Sequence, residues 1–361
     1  MANKTSRVTL QQIADEVGIA KSSVSMILNG NSKAFSADTK KQVHLVAQRL
    51  GYKTSSLPVS GSEFLNKTIA VICPNMYNPY YTTLVQSIEK TSKDTGMNII
   101  VFNTYRSQSQ EIDILNMALD CNLAGIIFTW TPAGEELIRL IERIYKRVPV
   151  VIIGDLEKPI DVDTVAINYY NSGALLAEHL ISLGHRHIAF ISTTLEQDNV
   201  NKRQRLNGIQ DIFSDLKEDH TVLVESMSVT SNESLEGMQV EFGVGKTLTE
   251  RCLDNKDITA FIGVNDMVAY GIQEALLEKG FRIPEDYSVC GCDNIFASKF
   301  QGVSLTTIEH GVDQKGKLAF EVLMNERNRR FNTDYVSNEL VTRIEYKSKL
   351  LIRHSTGKPR E

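Results

Sequence analysis

A short helical segment that ends at Gly18 is followed almost at once by a second, and this pairing limits the fold more than any other feature. Thr9 precedes the first segment and has the hydroxyl group that a helix N-cap requires. The apolar residues of the first segment recur at helical spacing, at Leu10, Ile13, Ala14 and Val17. The small Ala14 lets a second helix cross closely, and Gly18 permits a tight turn. The pattern predicts a helix-turn-helix.

The second predicted helix, residues 21–28, has two different faces. Its inward face consists of Val24, Ile27 and Leu28, and its outward face of Lys21, Ser22, Ser23, Ser25 and Met26. The outward face is rich in hydroxyl groups and carries no acid, as a helix lying in the major groove of DNA requires. A third predicted helix, residues 36–50, buries Val43, Val46, Ala47 and Leu50. A three-helix domain used for protein contacts is the alternative.

The charge of the first sixty residues differs from that of the rest. Residues 1–60 contain eight Lys and Arg against three Asp and Glu, which is a net charge of +5. Since the whole chain carries −5, the remaining 301 residues carry −10. A basic module joined to an acidic body indicates that phosphate binding is confined to that module. We therefore predict that residues 1–53 bind double-stranded DNA.

Length and composition restrict the class of protein. The 361 residues are too many for one core and indicate two or three domains. No run approaches the roughly 20 apolar residues of a membrane span, and the N-terminus lacks the apolar core of a signal peptide. We therefore expect a cytoplasmic protein that does not bind a membrane. The five cysteines lie mostly in apolar runs, which indicates buried, reduced thiols.

Residues 54–66 are predicted to form a linker, because they are small, polar and interrupted by Pro58 and Gly61. From residue 67 onward, continuous apolar runs alternate with helical segments. Apolar runs of this kind are typical of parallel sheets covered on both faces. Because the pattern begins again near Ile188, we predict two open α/β lobes. Ligands bind such sheets at the carboxyl ends of the strands, which places a site in the cleft between the lobes.

Signals of an enzyme are weak in this chain. The segment Gly245-Lys246-Thr247 resembles the end of a phosphate loop, but Val240 stands where the first glycine belongs. His185-x-His187 and Cys290-x-Cys292 offer too few ligands, too closely spaced, for a tetrahedral zinc site. No nucleophile elbow and no supported pair of carboxylates stands out. We predict no enzymatic activity, no catalytic residue, no metal and no cofactor.

The stretch from Val8 to Asn29 matches the pattern Val-Thr-x-x-x-(Ile/Val)-Ala-x-x-x-Gly-(Val/Ile)-x-x-x-(Ser/Thr)-Val-Ser-x-x-(Leu/Val)-Asn. Further short segments follow in order along the body: Asn78-Pro79-Tyr80-Tyr81, residues 179–186, Arg205-Leu206-Asn207-Gly208, Asn265-Asp266-Met267-Val268-Ala269, residues 284–289 and Leu305-Thr306-Thr307. Each segment is weak alone. Together they make almost the whole chain similar to the LacI/GalR family of repressors.

The resemblance implies an α/β fold: an N-terminal three-helix HTH domain followed by a two-lobed, periplasmic-binding-protein-like domain with parallel sheets. It also implies a homodimer that binds operator DNA and a small-molecule effector. The chain of the family crosses between the lobes three times. We therefore expect lobe 1 at about residues 67–166 plus 306–331, and lobe 2 at about residues 167–305 plus 332–354.

The position of residues in the head predicts two kinds of DNA contact. Base contacts are expected from Lys21, Ser22, Ser23 and Met26, and phosphate contacts from Thr9, Ser25, Asn29 and Tyr52. Many family members carry arginine where this chain has Met26. Methionine cannot form a bidentate contact with guanine, but it can cover the methyl group of thymine. We predict a half-site that is shifted toward A·T at this contact.

The linker also departs from the family, whose members form a hinge helix with a leucine that wedges into the minor groove. In this chain Gly61 occupies the leucine position and Pro58 the usual alanine. Glycine offers no wedge, and proline opposes a helix already under way. We predict that no intercalating helix forms. A shifted helix that begins at Pro58 and uses Leu65 as its wedge is the alternative.

Strand ends and family positions together predict an effector site. The candidates are Asn78, Tyr80, Tyr81, Trp130 and Asp155 from lobe 1, and Asn199, Asn201, Arg205, Asp266 and Asp293 from lobe 2. Aromatic planes stack on the apolar face of a sugar, while carboxylates and amides pair with its hydroxyls. Core packing is the alternative role of Tyr81 and Trp130, and helix capping is that of Asp266.

These observations predict a repressor of carbohydrate-utilisation genes that a sugar or sugar derivative controls. Candidates from both lobes imply that the ligand closes the cleft and so changes operator affinity. A nucleobase or a phosphorylated partner protein is the alternative effector, since Val303 and His310 leave the pocket edges undefined. A repressor built on a sugar-kinase body would need an Asp-x-Gly-x-Thr phosphate loop and a cysteine-rich zinc motif, and neither occurs.

Overall fold

The computed structural model describes residues 9–28, 35–50, 64–156, 160–195, 199–229, 238–331 and 340–360. The chain divides into two compact units, Met1–Lys67 and Thr68–Glu361, which we call the head and the body. Two predicted phosphate contacts, Asn29 and Tyr52, lie outside the described residues. The same is true of Pro58 and Gly61, so the hinge remains a prediction.

The head contains the helices α1 (Leu10–Val17), α2 (Lys21–Leu28) and α3 (Ala37–Leu50). Thr9 caps α1: its hydroxyl accepts from the backbone N–H of Gln12, and its own N–H donates to the Gln12 side chain at 2.7 Å. Gly18, with φ of 75°, ends α1 in the left-handed conformation. The buried core consists of Ile13, Ala14, Val24, Ile27, Leu28, Val43 and Ala47. The predicted N-cap and the inward faces of α1 and α2 are confirmed.

The body alternates strands and helices. Its strands are β1 (Thr68–Cys73), β2 (Asn98–Asn103), β3 (Gly125–Phe128), β4 (Val150–Ile153), β5 (Asp163–Ile167), β6 (His187–Thr193), β7 (Thr221–Met227), β8 (Ala260–Gly263), β9 (Ser288–Cys290), β10 (Thr307–Glu309), β11 (Arg343–Tyr346) and β12 (Lys349–Leu351). Its helices are α4 (Pro79–Lys93), α5 (Gln108–Asp120), α6 (Glu135–Tyr145), α7 (Tyr169–Leu183), α8 (Val200–Ser214), α9 (Met238–Cys252), α10 (Asp266–Glu278) and α11 (Val312–Phe331).

Two parallel sheets form the cores of two lobes. The sheet of lobe 1 has the order β11-β5-β4-β3-β1-β2, and that of lobe 2 the order β7-β6-β8-β9. Strands such as β1 are buried on both faces, which explains their unbroken apolar sequence. Helix α11 packs on lobe 1, because Phe320 and Leu323 belong to the same buried core as Leu84. The predicted α/β fold with parallel sheets is confirmed.

One predicted lobe boundary is wrong. Residues 332–354 were expected in lobe 2, but β11 extends the sheet of lobe 1, with Ile344 opposite Val165 on β5. The strand supplies hydrogen-bond partners to β5, which would otherwise be an exposed edge. The chain after β11 then leaves the sheet of lobe 1, and β12 pairs antiparallel with β10. The backbone N–H of Val289 in lobe 2 then donates to the carbonyl of Ser355 at 2.7 Å.

Helices α7 and α8 cross at two glycines. A Cβ atom at Gly173 would overlap the carbonyl group of Arg205, and one at Gly208 would overlap that of Tyr170. Only glycine permits this approach of the two backbones. The crossing fixes the first turns of both helices, which carry Tyr169 and Lys202.

Two further sequence predictions concern the chain as a whole. Among the described residues, no helix combines the length and the apolar character that crossing a bilayer needs. The five cysteines are free thiols, and all but Cys121 are buried. Their reduced, mostly buried state agrees with the prediction from sequence.

Candidate functional site

The outward face of α2 is the candidate site of the head. Lys21 and Ser22 are exposed, Met26 is 44% exposed, and Ser23 and Ser25 are half-buried. The helix itself carries no acidic residue. An ammonium, hydroxyl groups and a thioether therefore share one solvent-facing surface, where they can contact bases and phosphates. The hydroxyl of Thr9 is already used in capping α1, so a phosphate contact there would share it.

The candidate site of the body is a cavity of about 410 Å³ between the two lobes. Its walls are loops that follow β1, β2 and β3 in lobe 1, and β6, β8 and β9 in lobe 2. In parallel sheets the carboxyl ends of all strands lie at one edge, so these loops converge. The predicted residues that line it are Asn78, Tyr80, Tyr81, Trp130, Asn199, Asn201, Arg205 and Asp293.

Aromatic side chains form the wall on the side of lobe 1. The rings of Tyr80 and Tyr81 meet edge to face, with centroids 5.1 Å apart, and Trp130 is 5% exposed. Burial raises the pKa of Tyr81 to about 12, so its hydroxyl stays neutral and can donate. Tyr80 belongs both to the core of lobe 1 and to the cavity wall. Core packing and ligand contact are therefore compatible roles for these rings.

A carboxylate of α9 joins the two lobes across the cavity. Glu241 accepts a hydrogen bond from Nδ2 of Asn78 in lobe 1 and another from Nδ2 of Asn265 in lobe 2, each at 2.9 Å. Asn78 is itself held as the N-cap of α4, where its Oδ1 accepts from the N–H of Tyr80 at 3.0 Å. The amide of Asn78 is thus a direct link between lobe closure and the loop that carries the tyrosines.

Cationic groups from both lobes face the cavity. Arg106, in the loop after β2, places its guanidinium carbon 4.6 Å from the ring centroid of Trp130. Lys202, in the first turn of α8, donates from Nζ to the Thr193 hydroxyl at 2.6 Å. Burial and the charge of Arg106 lower the pKa of Lys202 to about 7. Arg205 donates to the carbonyl of Val264 and lies over the ring of Tyr169.

A buried polar cluster lies behind the cavity. Burial raises the pKa of Asp293 well above its ordinary value, and the neighbouring charge of Asp266 adds to this effect. His310 approaches Asp293 to 3.9 Å, and burial lowers the pKa of His310 well below its ordinary value, so burial favours the neutral form of both groups. Lys315 donates to the hydroxyl of Tyr80 at 2.8 Å. Burial therefore favours the protonated form of Asp293, while the charges of Arg205 and Lys315 favour the carboxylate.

Two predicted ligand residues do not line this cavity. Asp155 is not among the lining residues: its carbonyl oxygen accepts from the Thr131 hydroxyl at 3.1 Å, and its carboxylate has a hydrogen bond with the backbone of Leu156. Asp266 is fully buried, and its carboxylate accepts from the N–H of Ile295 at 3.1 Å and from the hydroxyls of Ser298 and Thr307. It fixes the loop that carries Asp293. Asn265, not Asp266, is the N-cap of α10.

Sequence reasoning missed several residues that line the cavity: Tyr105, Arg106, Glu111, Tyr169, Lys202, Glu241 and Asn265. Arg106 was detectable, since it follows an apolar strand in the same way as Asn78 and Trp130 do. Glu241 was not, because it lies in the first turn of a helix rather than at a strand end. In the part of the chain that the structure describes, no group of three His, Cys, Asp or Glu is placed to hold a metal ion.

Comparison with known proteins gives a consistent result. The periplasmic-binding-protein-like domain family matches residues 177–346. Catabolite control protein A of Priestia megaterium is 28% identical over 343 residues, which cover 94% of this chain and 98% of the relative. Further curated relatives, 25% identical over 96–97% of the chain, are HTH-type transcriptional regulators and repressors. These names agree with the prediction of a transcriptional regulator.

Solved structures share the fold. A LacI family transcriptional regulator from Silicibacter pomeroyi superposes with a TM-score of 0.70 at 23% identity, and the match covers 96% of this chain and 99% of that one. A LacI family transcriptional regulator from Enterococcus faecium, determined with bound ribose, superposes with a TM-score of 0.66 at 23% identity. That match covers 81% of this chain and 100% of the other.

Proposed function

We propose that this chain, as a member of the LacI/GalR family of transcriptional regulators, represses carbohydrate-utilisation genes. A sugar or sugar derivative would control this repression. The head would bind operator DNA through the outward face of α2. The effector would bind in the interlobe cavity of the body, and the active form would be a homodimer.

The single observation that supports a sugar-like effector is the division of the cavity wall. Tyr81 and Trp130 supply aromatic rings on one side, although the Arg106 guanidinium lies over the Trp130 ring, while Asn199 and Asn201 supply amides on the other side. Sugars present an apolar ring face and a rim of hydroxyls, so they match both halves of such a wall. The cavity volume of about 410 Å³ is in the range of small-ligand sites. The ribose-bound neighbour from Enterococcus faecium supports the same choice.

Control of DNA binding requires that the effector binds one lobe arrangement better than another. The bridge from Asn78 through Glu241 to Asn265 is an element that a ligand would alter, because its amide and carboxylate groups link the two lobes at the cavity wall. A ligand that contacts both walls would favour the closed arrangement. Closure of the body in each subunit of the homodimer would then change the affinity for the two operator half-sites.

A paired experiment tests this proposal. Binding sites are selected from random duplex DNA with the full-length protein, and affinity is then measured by fluorescence anisotropy at several salt concentrations. We expect a salt-sensitive specific affinity, because phosphate contacts release counterions. A protein without salt-sensitive affinity for any duplex would not be a DNA-binding regulator.

The effector is sought by a thermal-shift screen of sugars, sugar derivatives and purines, followed by anisotropy with each hit. A hit at about 100 times its dissociation constant should stabilise the body by about 2.7 kcal/mol. Trp130→Ala should abolish the ligand-induced rise in melting temperature. Lys93 is exposed at the far end of α4, so Lys93→Ala should retain this rise. If purines stabilise the protein and all sugars and sugar derivatives fail, the sugar assignment is wrong.

A further inference from the structure

We propose that the cavity selects an anionic effector, a sugar derivative with a carboxylate or phosphate group, and that the side chains of Arg106 and Lys202 hold this group. The inference rests on the proposed function, because it names the chemical class of ligand for the same cavity. Its two cations come from different lobes, in the loop after β2 and in the first turn of α8.

Arg106 is held at the cavity by the backbone of its loop. Tyr105 and Arg106 both have positive φ, 50° and 61°, a conformation that non-glycine residues rarely adopt. The preceding Thr104 anchors the loop, since its N–H donates to the carbonyl of Cys73 at 2.9 Å and its hydroxyl to Glu111 at 2.8 Å. Strained backbone of this kind concentrates at ligand sites. The loop thereby keeps the guanidinium above Trp130 and beside the cavity.

Lys202 lies on the opposite wall. Its Nζ donates to the hydroxyl of Thr193 and, at 3.4 Å, to the carbonyl of Thr194. An ammonium group has three N–H donors. Among the described residues, two of these N–H donors are used in hydrogen bonds to Thr193 and Thr194. The third can donate to a ligand in the cavity.

Three carboxyl groups of the described residues line the cavity, and each has hydrogen-bond partners or is affected by burial, although Glu111 also interacts with Arg106 and Glu241 with Lys202. Both oxygens of Glu241 accept amide hydrogen bonds. Glu111 accepts from Thr104, and burial raises its pKa to about 7. Burial raises the pKa of Asp293 and so favours its neutral form. Among residues 64–156, 160–195 and 199–229, the ion pairs that the structure describes include neither Arg106 nor Lys202.

The charges around Lys202 indicate what a ligand would change. Arg106 and Arg205 lower its pKa, Glu241 raises it, and burial has the largest effect. Arg106 and the ammonium form of Lys202 therefore repel each other across the lobes, and this repulsion contributes to the partial deprotonation of Lys202 near pH 7. An anion between them turns this repulsion into two attractions and favours closure, whereas a neutral sugar leaves the repulsion in place.

The first test uses inorganic phosphate as the probe, so that it does not depend on the stereochemistry of a sugar. Full-length protein is titrated with potassium phosphate and, at equal ionic strength, with potassium chloride, by thermal shift and calorimetry. We expect phosphate to stabilise the protein more than chloride does. Arg106→Gln and Lys202→Met should each weaken phosphate binding about 10- to 100-fold, the range for a charge-assisted hydrogen bond. Arg106→Lys should restore part of the affinity.

Lys93→Ala is the matched control, because it removes one exposed cation outside the cavity and should leave phosphate binding unchanged. If Lys202→Met lowers the melting temperature of the protein without ligand, its phosphate binding is not interpreted, and the result for Arg106→Gln decides whether the anion site exists. Arg106 is exposed, so its replacement should not disturb folding. Equal stabilisation by phosphate and chloride, or phosphate binding unchanged in Arg106→Gln, would overturn the proposal.

The second test compares neutral sugars with their uronates and their phosphates in the wild type and in Arg106→Gln. Preference for the uronate or the phosphate decides between the two sources of the anion, and either preference supports the proposal. Binding of neutral sugars alone would refute the anion site and leave the sugar-controlled regulator intact. Phosphate binding that depends on Arg106, with no binding of any sugar or sugar derivative, would support the anion site and refute the sugar assignment.

Discussion

Gly173→Ala provides a direct test of how the structure positions Arg205 and Lys202. A methyl group at residue 173 would overlap the carbonyl group of Arg205, where α7 and α8 cross. Because the obstructing atoms are backbone, the two helices must move apart. The first turn of α8 and the side chain of Arg205 would move with them, away from Tyr169.

The expected effect on stability is the difference of two terms. Replacing a helical glycine by alanine gains about 1 kcal/mol of helix propensity. Overpacking a close contact costs about 1–3 kcal/mol, and a backbone overlap belongs at the upper end. The free energy of unfolding of the body should therefore fall by about 2 kcal/mol, which corresponds to roughly 4 °C in melting temperature.

Gly243→Ala is the matched control, since Gly243 also lies in a helix but a Cβ there meets no atom within 4 Å. It should raise the melting temperature by about 2 °C, because only the propensity gain remains. Differential scanning calorimetry of both variants and a ligand titration provide the measurements. Equal stabilisation by both substitutions, with ligand affinity unchanged, would show that the close crossing of α7 and α8 does not exist.

Three further predictions follow from the charged groups. Burial raises the pKa of Glu111 from its ordinary value of 4.5 to about 7. Between these two pH values the folded body keeps a proton that the unfolded chain has released, so the free energy of unfolding falls as the pH rises from 4.5 to about 7. Glu111→Gln should remove this fall and stabilise the protein at pH 8 by up to about 3 kcal/mol, but not at low pH. Calorimetry measures the melting temperature against pH, and the control is Glu136→Gln, an exposed position at which the pH dependence should stay as in the wild type. Because Lys202 has a pKa of about 7, the binding of an anionic ligand beside it at pH 7 should be accompanied by the uptake of about half a proton. Calorimetry in two buffers of different ionisation enthalpy detects this uptake, and its persistence in Lys202→Met would contradict the assignment. Lys21→Ala should weaken DNA binding and, if Lys21 also neutralises a phosphate, lower the salt slope by about 1, whereas unchanged anisotropy would exclude α2 as the DNA-contacting helix.

Local sequence was sufficient for the head and for most strands of the body. The spacing of Ile13 and Ala14 and the capping hydroxyl of Thr9 act within one helical turn, so no distant residue is needed to interpret them. Continuous apolar runs such as β1 and β3 are equally local signals of buried parallel strands. Glycine at residue 245 is a contrasting case. It resembled part of a phosphate loop, but it allows α9 to approach α10, where a Cβ would overlap the carbonyl of Val268.

The candidate site was only partly predictable. Residues after strand ends, such as Asn78 and Trp130, could be named because parallel topology brings those ends together. The direction in which a side chain points could not be predicted from the strand ends. The sequence Asn265-Asp266 places a carboxylate at a strand end, yet contacts with Ser298 and Thr307 turn it into the protein. Those partners lie in later segments of the chain, so no local pattern reports them.

The order of residues alone determined the helix-turn-helix head, the alternation of strands and helices and the basic charge of the first sixty residues, because propensity, periodicity and charge act over short distances along the chain. Tertiary structure alone decided that β11 completes the sheet of lobe 1 and that Arg106 and Lys202 face one cavity. Hydrogen bonding at a sheet edge and the desolvation of a charge depend on neighbours that only the folded chain brings together.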